Sequence, residues 1–451
     1  MQRLLAPANW RWIASDSVLL VVGLVAIGTV ADFGLRVLLA HTVEPAEFGD
    51  FAIAYGVLVL GGVVAVLGAD RTTMRFLPGY IEAADHARVA GFVAMFAAAA
   101  VVVAIVLALL VVATHMAMDE EHEFFFHTAK GHPLLIAIWI IPFYALSRLT
   151  GGVMNSAKRP VLDAVARYYV LPGAVTVIIL ALLLAGADIS PAEILIAYGM
   201  AFALAVVFGF TVLPGHVRCW HPERSFLPKL WLALSLPIMG REVVNKLAGY
   251  TGPFMLEWLG PEEAEVGFFS AAYSAGSLIL IPSIAMAAIV LPRFGVIATG
   301  ERNHDARQAL FGRATGQLVL LAALFTAPLI LFSAEALSLF GAEYVAAEGA
   351  LIFIAIALSL SVTFCLAASF LQFTGHGKLV LAVFAASVLL DVALCAVLIP
   401  RYGLQGAAVS FLIRTVIAES VLLLLLWRLE GLVPFVNRTP RARARAVGAR
   451  V

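Results

Sequence analysis

The sequence predicts an all-α polytopic membrane protein of twelve transmembrane helices in two parallel sets of six. Three observations carry that prediction. First, 62% of the 451 residues are hydrophobic and only 13% are charged, with a mean hydropathy of +0.99. Ordinary soluble domains carry about a quarter charged residues. Second, apolar runs of about 18 or more residues recur along the whole chain. They suit membrane-crossing helices, which pair every backbone polar group internally in hydrocarbon. Third, the sequence echoes itself. Glu47, Gly49, Phe51, Ala54 and Tyr55 recur at one constant offset as Glu265, Gly267, Phe269, Ala272 and Tyr273. Each copy follows a short acidic turn containing proline (Glu44-Pro45 and Gly260-Pro261-Glu262-Glu263) and opens a long apolar run. A period near half the chain is too long for a solenoid repeat and suits a duplicated domain.

In chain order, residues 1–15 carry Arg3, Trp10, Arg11 and Trp12 and read as an interfacial segment. The next run is too long for a signal-peptide core and has no convincing small-residue cleavage site, so it is the first span. The spans are expected near 17–40, 49–69, 90–113, 133–154, 162–186, 192–214, 229–258, 265–291, 314–333, 349–372, 378–400 and 404–427. The first six make an N-lobe, 16–214, and a cytoplasmic linker, 215–228, leads to a C-lobe of six more, 229–427. A basic tail, 428–451, follows. Most of the 29 Lys and Arg fall on one side of this arrangement, including Arg71, Arg75, Arg88, Lys158, Arg159, Arg307 and the six arginines from Arg428 to Arg450. The other side holds only Lys130 and Arg401. Positive charge marks the cytoplasmic face, so both termini are expected inside. Because six is even, the two halves point the same way, as parallel repeats do.

The remaining segments are short. The outer loop 114–132 is acidic and His-rich, but its spacing specifies no metal site, and none is expected. The arginines from Arg438 to Arg450 suit anionic headgroups. The sequon Asn437-Arg438-Thr439 lies on the cytoplasmic side and is set aside. Cys219, Cys365 and Cys395 form no disulfide framework. A formal net charge of zero gives no reason to expect a nucleic-acid partner.

Charges within the spans are the candidate functional groups, because each costs roughly 2.5–3.5 kcal/mol at a helix centre unless it faces water or a partner. On the seventh span Arg241, Glu242, Asn245, Lys246, Gly249 and Gly252 share one stripe, and Val243, Leu247, Tyr250 and Phe254 cover the opposite face. At about 1.5 Å per residue Arg241 lies about 18 Å into the membrane. Pro237 and Pro253 bracket the stripe and should bend the helix. Arg414 and Asp391 fall near mid-depth. Asp32 and Arg36 form an i,i+4 pair, Glu419 lies in the inner half of the last span, and Arg148 and Arg167 lie towards cytoplasmic ends. Two readings stand. The charges pair between helices and hold the bundle, or they line a wet cavity, which is the reading preferred for Arg241 and Arg414. Arginine stays protonated and offers a planar fork to phosphate oxygens.

Several motifs carry a resemblance. Leu398-Ile-Pro-Arg-Tyr-Gly-Leu-Gln-Gly-Ala-Ala408, Gln372-Phe-Thr-Gly-His-Gly-Lys378, Phe340-Gly-Ala-Glu-Tyr344, Glu44-Pro-Ala-Glu-Phe-Gly49 and Leu67-Gly-Ala-Asp-Arg-Thr-Thr-Met-Arg75 together resemble bacterial polysaccharide (O-antigen-type) flippases. These belong to the multidrug/oligosaccharidyl-lipid/polysaccharide (MOP) superfamily. The resemblance covers essentially the whole chain, although relatives often carry Asn where Asp391 stands. It implies a MATE-like fold of two lobes around a central cavity, in a bacterial inner membrane. The implied cargo is an undecaprenyl-pyrophosphate-linked oligosaccharide moved to the outer leaflet for surface polysaccharide synthesis. The implied partners are this lipid-linked saccharide, the bilayer and other polysaccharide-assembly proteins. Arg241, Arg414, Lys246 and Arg36 would meet the pyrophosphate or acidic sugars, and Asn245 the sugar hydroxyls. Asp391, Glu242, Asp32 or Glu419 would carry a coupling H⁺ or Na⁺, with no other cofactor expected. A multidrug antiporter of the same superfamily is the alternative, disfavoured because a cationic drug wants an aromatic and acidic pocket. An enzyme acting on lipid-linked sugar is less favoured still, since no nucleophile–base pair, nucleotide loop or metal motif is present.

Overall fold

Helix starts are written into the sequence at the outer turns. Pro45 and Pro191 open α2 (Pro45–Ala65) and α8 (Pro191–Val212), where a missing N–H costs nothing. Each start is closed by a capping box, in which Glu47 accepts from the Glu44 N–H at 3.2 Å and Glu193 from the Ser190 N–H at 3.0 Å. The computed structural model of the chain describes residues 16–117, 133–213, 223–284, 286, 290 and 304–436. The interfacial segment 1–15, most of the loop 114–132, Cys219 and the tail from Asn437 therefore lie outside the described residues. Among the described residues every regular element is helical.

The other elements are α1 (Asp16–Ala40), α3 (Ala69–Glu82), α4 (His86–Ala117), α5 (Pro133–Ser156), α6 (Pro160–Val165), α7 (Leu171–Leu184), α9 (Pro228–Leu259) and α10 (Ala264–Ser277). They continue with α11 (His304–Leu331), α12 (Ser333–Ser338), α13 (Glu348–Phe373) and α14 (Gly377–Glu430). Ten described helices are long and apolar enough to cross a membrane. One of them is α14, whose backbone leaves the helical region at Gly403 (φ 50°, ψ −130°), making two crossing arms, 377–402 and 404–430. The strongly charged α9 is not among the ten. Counted this way, the described helices are consistent with twelve spans.

Span positions follow the sequence reading closely, with two differences of one physical kind. The second span ends at Ala65, and Leu67 and Gly68, both at positive φ, turn the chain into a separate helix, α3, where a loop was expected. Its buried Asp70, Thr72, Thr73 and Leu77 alternate with exposed Arg71 and Met74, and this two-faced pattern carries too much charge to register as a span. Likewise α11 begins at His304, ten residues before the expected start, with a polar first half. That half is clamped to the segment after α14. Gln308 donates to the carbonyls of Val433 (2.7 Å) and Val436 (3.0 Å) and accepts from the Val433 N–H (2.9 Å), while Arg307 pairs with Glu430 at 2.8 Å.

Packing gathers the chain into two compact units. The first, residues 23–270, holds α2 to α9, most of α1 and the opening of α10. Within it α5 is central, packed on α2, α3, α4 and α8. An aromatic column crosses its core, with Phe51 stacked on Tyr198 (5.7 Å), Tyr55 against Tyr198 (5.0 Å) and Tyr144 edge-on to Phe202 (5.2 Å). The sequence echo also has a place here. Gly49 of α2 and Gly267 of α10 touch: a Cβ on Gly49 would stand 3.0 Å from the Gly267 nitrogen, and one on Gly267 would collide with the Pro45 carbonyl. The opening turns of the two copies meet at the same residue of the motif. In the second unit, 271–451 with the start of α1, α13 packs along α14 and α11. Apolar side chains such as Val102, Val106 and Leu110 on α4 and Leu320 and Leu324 on α11 are exposed, as lipid contact requires.

Candidate functional site: a cationic cavity in the first unit

Between α1, α2 and α5 to α9 the first unit encloses a cavity of about 340 Å³. Its charged lining comes from α1 (Asp32, Arg36), α5 (Arg148), the α6–α7 segment (Asp163, Arg167) and α9 (Lys246), with Tyr55, Tyr144 and Tyr168 as aromatic walls. Two features of the local fold aim these groups. Residues Ala166–Val170 form a π-helical turn between α6 and α7, a wider coil often found at functional sites. It presents the successive residues Arg167 and Tyr168 to one cavity, and Tyr169 anchors the turn by donating to the Leu24 carbonyl at 2.9 Å. Gly28 lies directly against Tyr168, so α1 approaches that turn closely.

The guanidinium groups are paired one to one. Arg36 Nε lies 3.0 Å from Asp32 Oδ2 and Arg167 Nη2 lies 3.2 Å from Asp163 Oδ1, while Asn155 donates to Asp163 Oδ2 at 2.8 Å. Arg148 donates to Asp70 of α3, a pair whose members are 14% and 7% exposed. Lys246 lines the same space with no hydrogen bond or ion pair to a described residue. Three paired forks and the Lys246 ammonium, which has Glu242 as a longer-range electrostatic neighbour one turn earlier on α9, give the cavity more basic than acidic lining residues and a set of N–H donors. A carboxylate, phosphate or pyrophosphate is the chemical complement.

The residues expected to act together divide into three places. Arg36, Asp32 and Lys246 meet in the cavity, joined by Arg148 and Arg167, which the sequence places towards the cytoplasmic ends of their spans. Arg241 and Asn245 are exposed and do not line it. Glu242 sits 3.9 Å from both Arg71 and Arg241. On the opposite face of α9, Tyr250 and Phe254 pack on Gly56 of α2, and so that face covers protein. In the second unit Arg414, 8% exposed, lies 3.4 Å from Asp391, 1% exposed, and its guanidinium is 4.6 Å over the Phe411 ring. Ser410 donates to Asp391 Oδ1 at 2.6 Å, and Cys395 donates to Ser410 at 3.3 Å. Arg414, expected to line a cavity, is thus buried in an ion pair. Asp70, Asp163 and the tyrosine walls were missed from sequence. The signal available was the second Asp–Arg pair at i,i+4, Asp163–Arg167, which mirrors Asp32–Arg36.

Comparison with known proteins supplies the family. The family described as "Polysaccharide biosynthesis protein" matches residues 16–298, and a comparison with curated protein sequences gives no significant match. The fold is similar to the inward-facing conformation of a multidrug resistance MATE family transporter of the MOP superfamily (TM-score 0.75, 15% identity, covering 96% of this chain and 99% of that one). It is similar to a MOP superfamily transporter from Pyrococcus furiosus noted for the reverse polarity of its binding pocket (TM-score 0.65, 16% identity, 90% and 94% covered). It is also similar to the lipid II flippase MurJ in an inward closed conformation (TM-score 0.66, 14% identity, 88% and 85% covered). At these identities the likeness is one of fold. A multi-pass helical chain matched over more than half of its length by that family belongs to the polysaccharide biosynthesis proteins.

Proposed function

We propose that this protein moves an undecaprenyl-pyrophosphate-linked oligosaccharide from the inner to the outer leaflet of a bacterial inner membrane, with both termini cytoplasmic, for surface polysaccharide synthesis. The observation that carries this reading is the excess of basic over acidic residues lining the first unit's cavity, Arg36, Arg148, Arg167 and Lys246 against Asp32 and Asp163. A pyrophosphate and its sugars cannot cross hydrocarbon unaided, because moving unpaired charge and hydroxyls out of water costs many kcal/mol. A cavity that offers N–H donors to the phosphates replaces that water, while the polyprenyl chain stays in lipid. The tyrosine walls suit the apolar faces of sugar rings. A cationic drug would meet like charge in this cavity, which disfavours multidrug extrusion despite the MATE-like fold.

The reading is tested by deleting the gene and following the lipid-linked saccharide. Accumulation of the undecaprenyl-pyrophosphate oligosaccharide on the inner leaflet, with loss of surface polysaccharide, is the expected outcome. Restored drug resistance on re-expression, with surface polysaccharide unaltered throughout, would overturn the reading.

A further inference from the structure

Asn155 sits in the last turn of α5 and outside the cavity lining, and its side chain makes one contact: Nδ2 donates to Asp163 Oδ2 at 2.8 Å. The turn from α5 into α6 does not need that side chain. Backbone N–H groups hold it, donated by Ala157 to the Val153 carbonyl (2.9 Å), by Lys158 to that of Asn155 (3.1 Å) and by Arg159 to that of Met154 (2.9 Å). Arg159 Nη1 then ties the turn to the Val212 carbonyl at the end of α8, at 2.6 Å.

Asp163 does need it. Its Oδ1 accepts from Arg167 Nη2 at 3.2 Å and lies across α5 at Gly151, where a Cβ would collide with that oxygen. Its Oδ2 is reached, among the described residues, by Asn155 alone. Asp32 on the cavity's other ion pair differs: it meets Arg36 through Oδ2, and its Oδ1 has no hydrogen bond to a described residue. Asp32 is held at one oxygen and Asp163 at both.

Arg167 in turn commits Nη2 to Asp163, and its Nε and Nη1 make no hydrogen bond to a described residue. A ligand in the cavity must share this guanidinium with Asp163, so the place of the carboxylate decides which way the remaining N–H groups face. A donor already fixed in its bound geometry binds more tightly than one the ligand must first order.

We propose that Asn155 is a positioning residue for anion binding: acting through Asp163, it fixes the Arg167 guanidinium towards the cavity without itself touching the ligand. The proposal deepens the reading of this cavity as the seat of the cargo's pyrophosphate and rests on it.

The test is a double-mutant cycle on the purified full-length protein in nanodiscs, titrated with polyprenyl pyrophosphate and, as control, polyprenol. Asn155→Leu keeps the size of the side chain and removes its donor. It should weaken pyrophosphate binding about three- to tenfold in the wild-type background and leave it unchanged in an Arg167→Gln background, because the two residues act in series. A merely structural defect lowers affinity by the same factor in both. The same loss in both backgrounds, or no loss in either, would overturn the proposal while the pyrophosphate reading stands. Wild-type protein that binds the pyrophosphate no better than polyprenol would overturn both. If Asn155→Leu does not fold, Asn155→Ala carries the same expectation and the same refutation.

Discussion

Replacing Lys246 by methionine tests the logic of the cavity most directly, because it keeps most of the side chain's length and removes its charge. Arg36, Arg148 and Arg167 each face a carboxylate, so an arriving pyrophosphate competes with aspartate at those three positions. At Lys246 there is no ion pair to break, since the carboxylate of Glu242, one turn earlier on α9, acts on it only at longer range. A hydrogen bond to a charged group contributes about 1.5–3 kcal/mol net, and about 1.4 kcal/mol corresponds to a tenfold change in Kd. Lys246→Met should therefore weaken binding of polyprenyl pyrophosphate by about 10- to 150-fold, and Lys246→Arg should retain most of it. Asn245→Ala, one residue earlier on the exposed side of α9, should leave affinity unchanged. The measurement is tryptophan fluorescence of the purified protein in nanodiscs, titrated with polyprenyl pyrophosphate and, as control, polyprenol. Equal affinities for the pyrophosphate in wild type and Lys246→Met, or equal binding of the two lipids by wild type, would refute the reasoning.

Other consequences concern stability. Asp70→Asn strands the buried Arg148 and should cost about 3–5 kcal/mol, seen as a lower thermal transition in detergent, with much of the loss recovered in Asp70→Asn/Arg148→Met. Gly267→Ala forces a methyl onto the Pro45 carbonyl and should cost about 1–3 kcal/mol by the same assay, whereas Gly240→Ala, with open space around it, should be tolerated. Gln308→Ala removes three hydrogen bonds to residues 433–436. At about 1 kcal/mol each, hydrogen exchange in that segment should speed up while the first unit keeps its protection.

The spans could be read from sequence because hydropathy and turn chemistry act locally. The turn at Glu44-Pro45, the break between the last two spans and the charged stripe of α9 all show in the residues themselves. What could not be read was which charge meets which. Arg148 and Asp70 are far apart in sequence and pair because α3 folds back onto α5, and α3 itself is hidden by its low apolarity. Arg414 looks free in sequence because Asp391 lies on the preceding arm, brought alongside by the bend. Arg36, Arg148 and Arg167 share one cavity because of tertiary packing and a single π turn, and helical periodicity predicts neither. Intramembrane charge marks where to look, but its partners come from topology.

The meeting of Gly49 with Gly267 ties two distant stretches of the chain into one constraint. Each glycine is part of the wall the other leans on, so neither position is free to gain bulk while its counterpart stays as it is. A duplicated segment usually drifts into two independent histories. Here the backbone itself holds both turns to glycine, and a library that randomises both positions at once should return glycine at each.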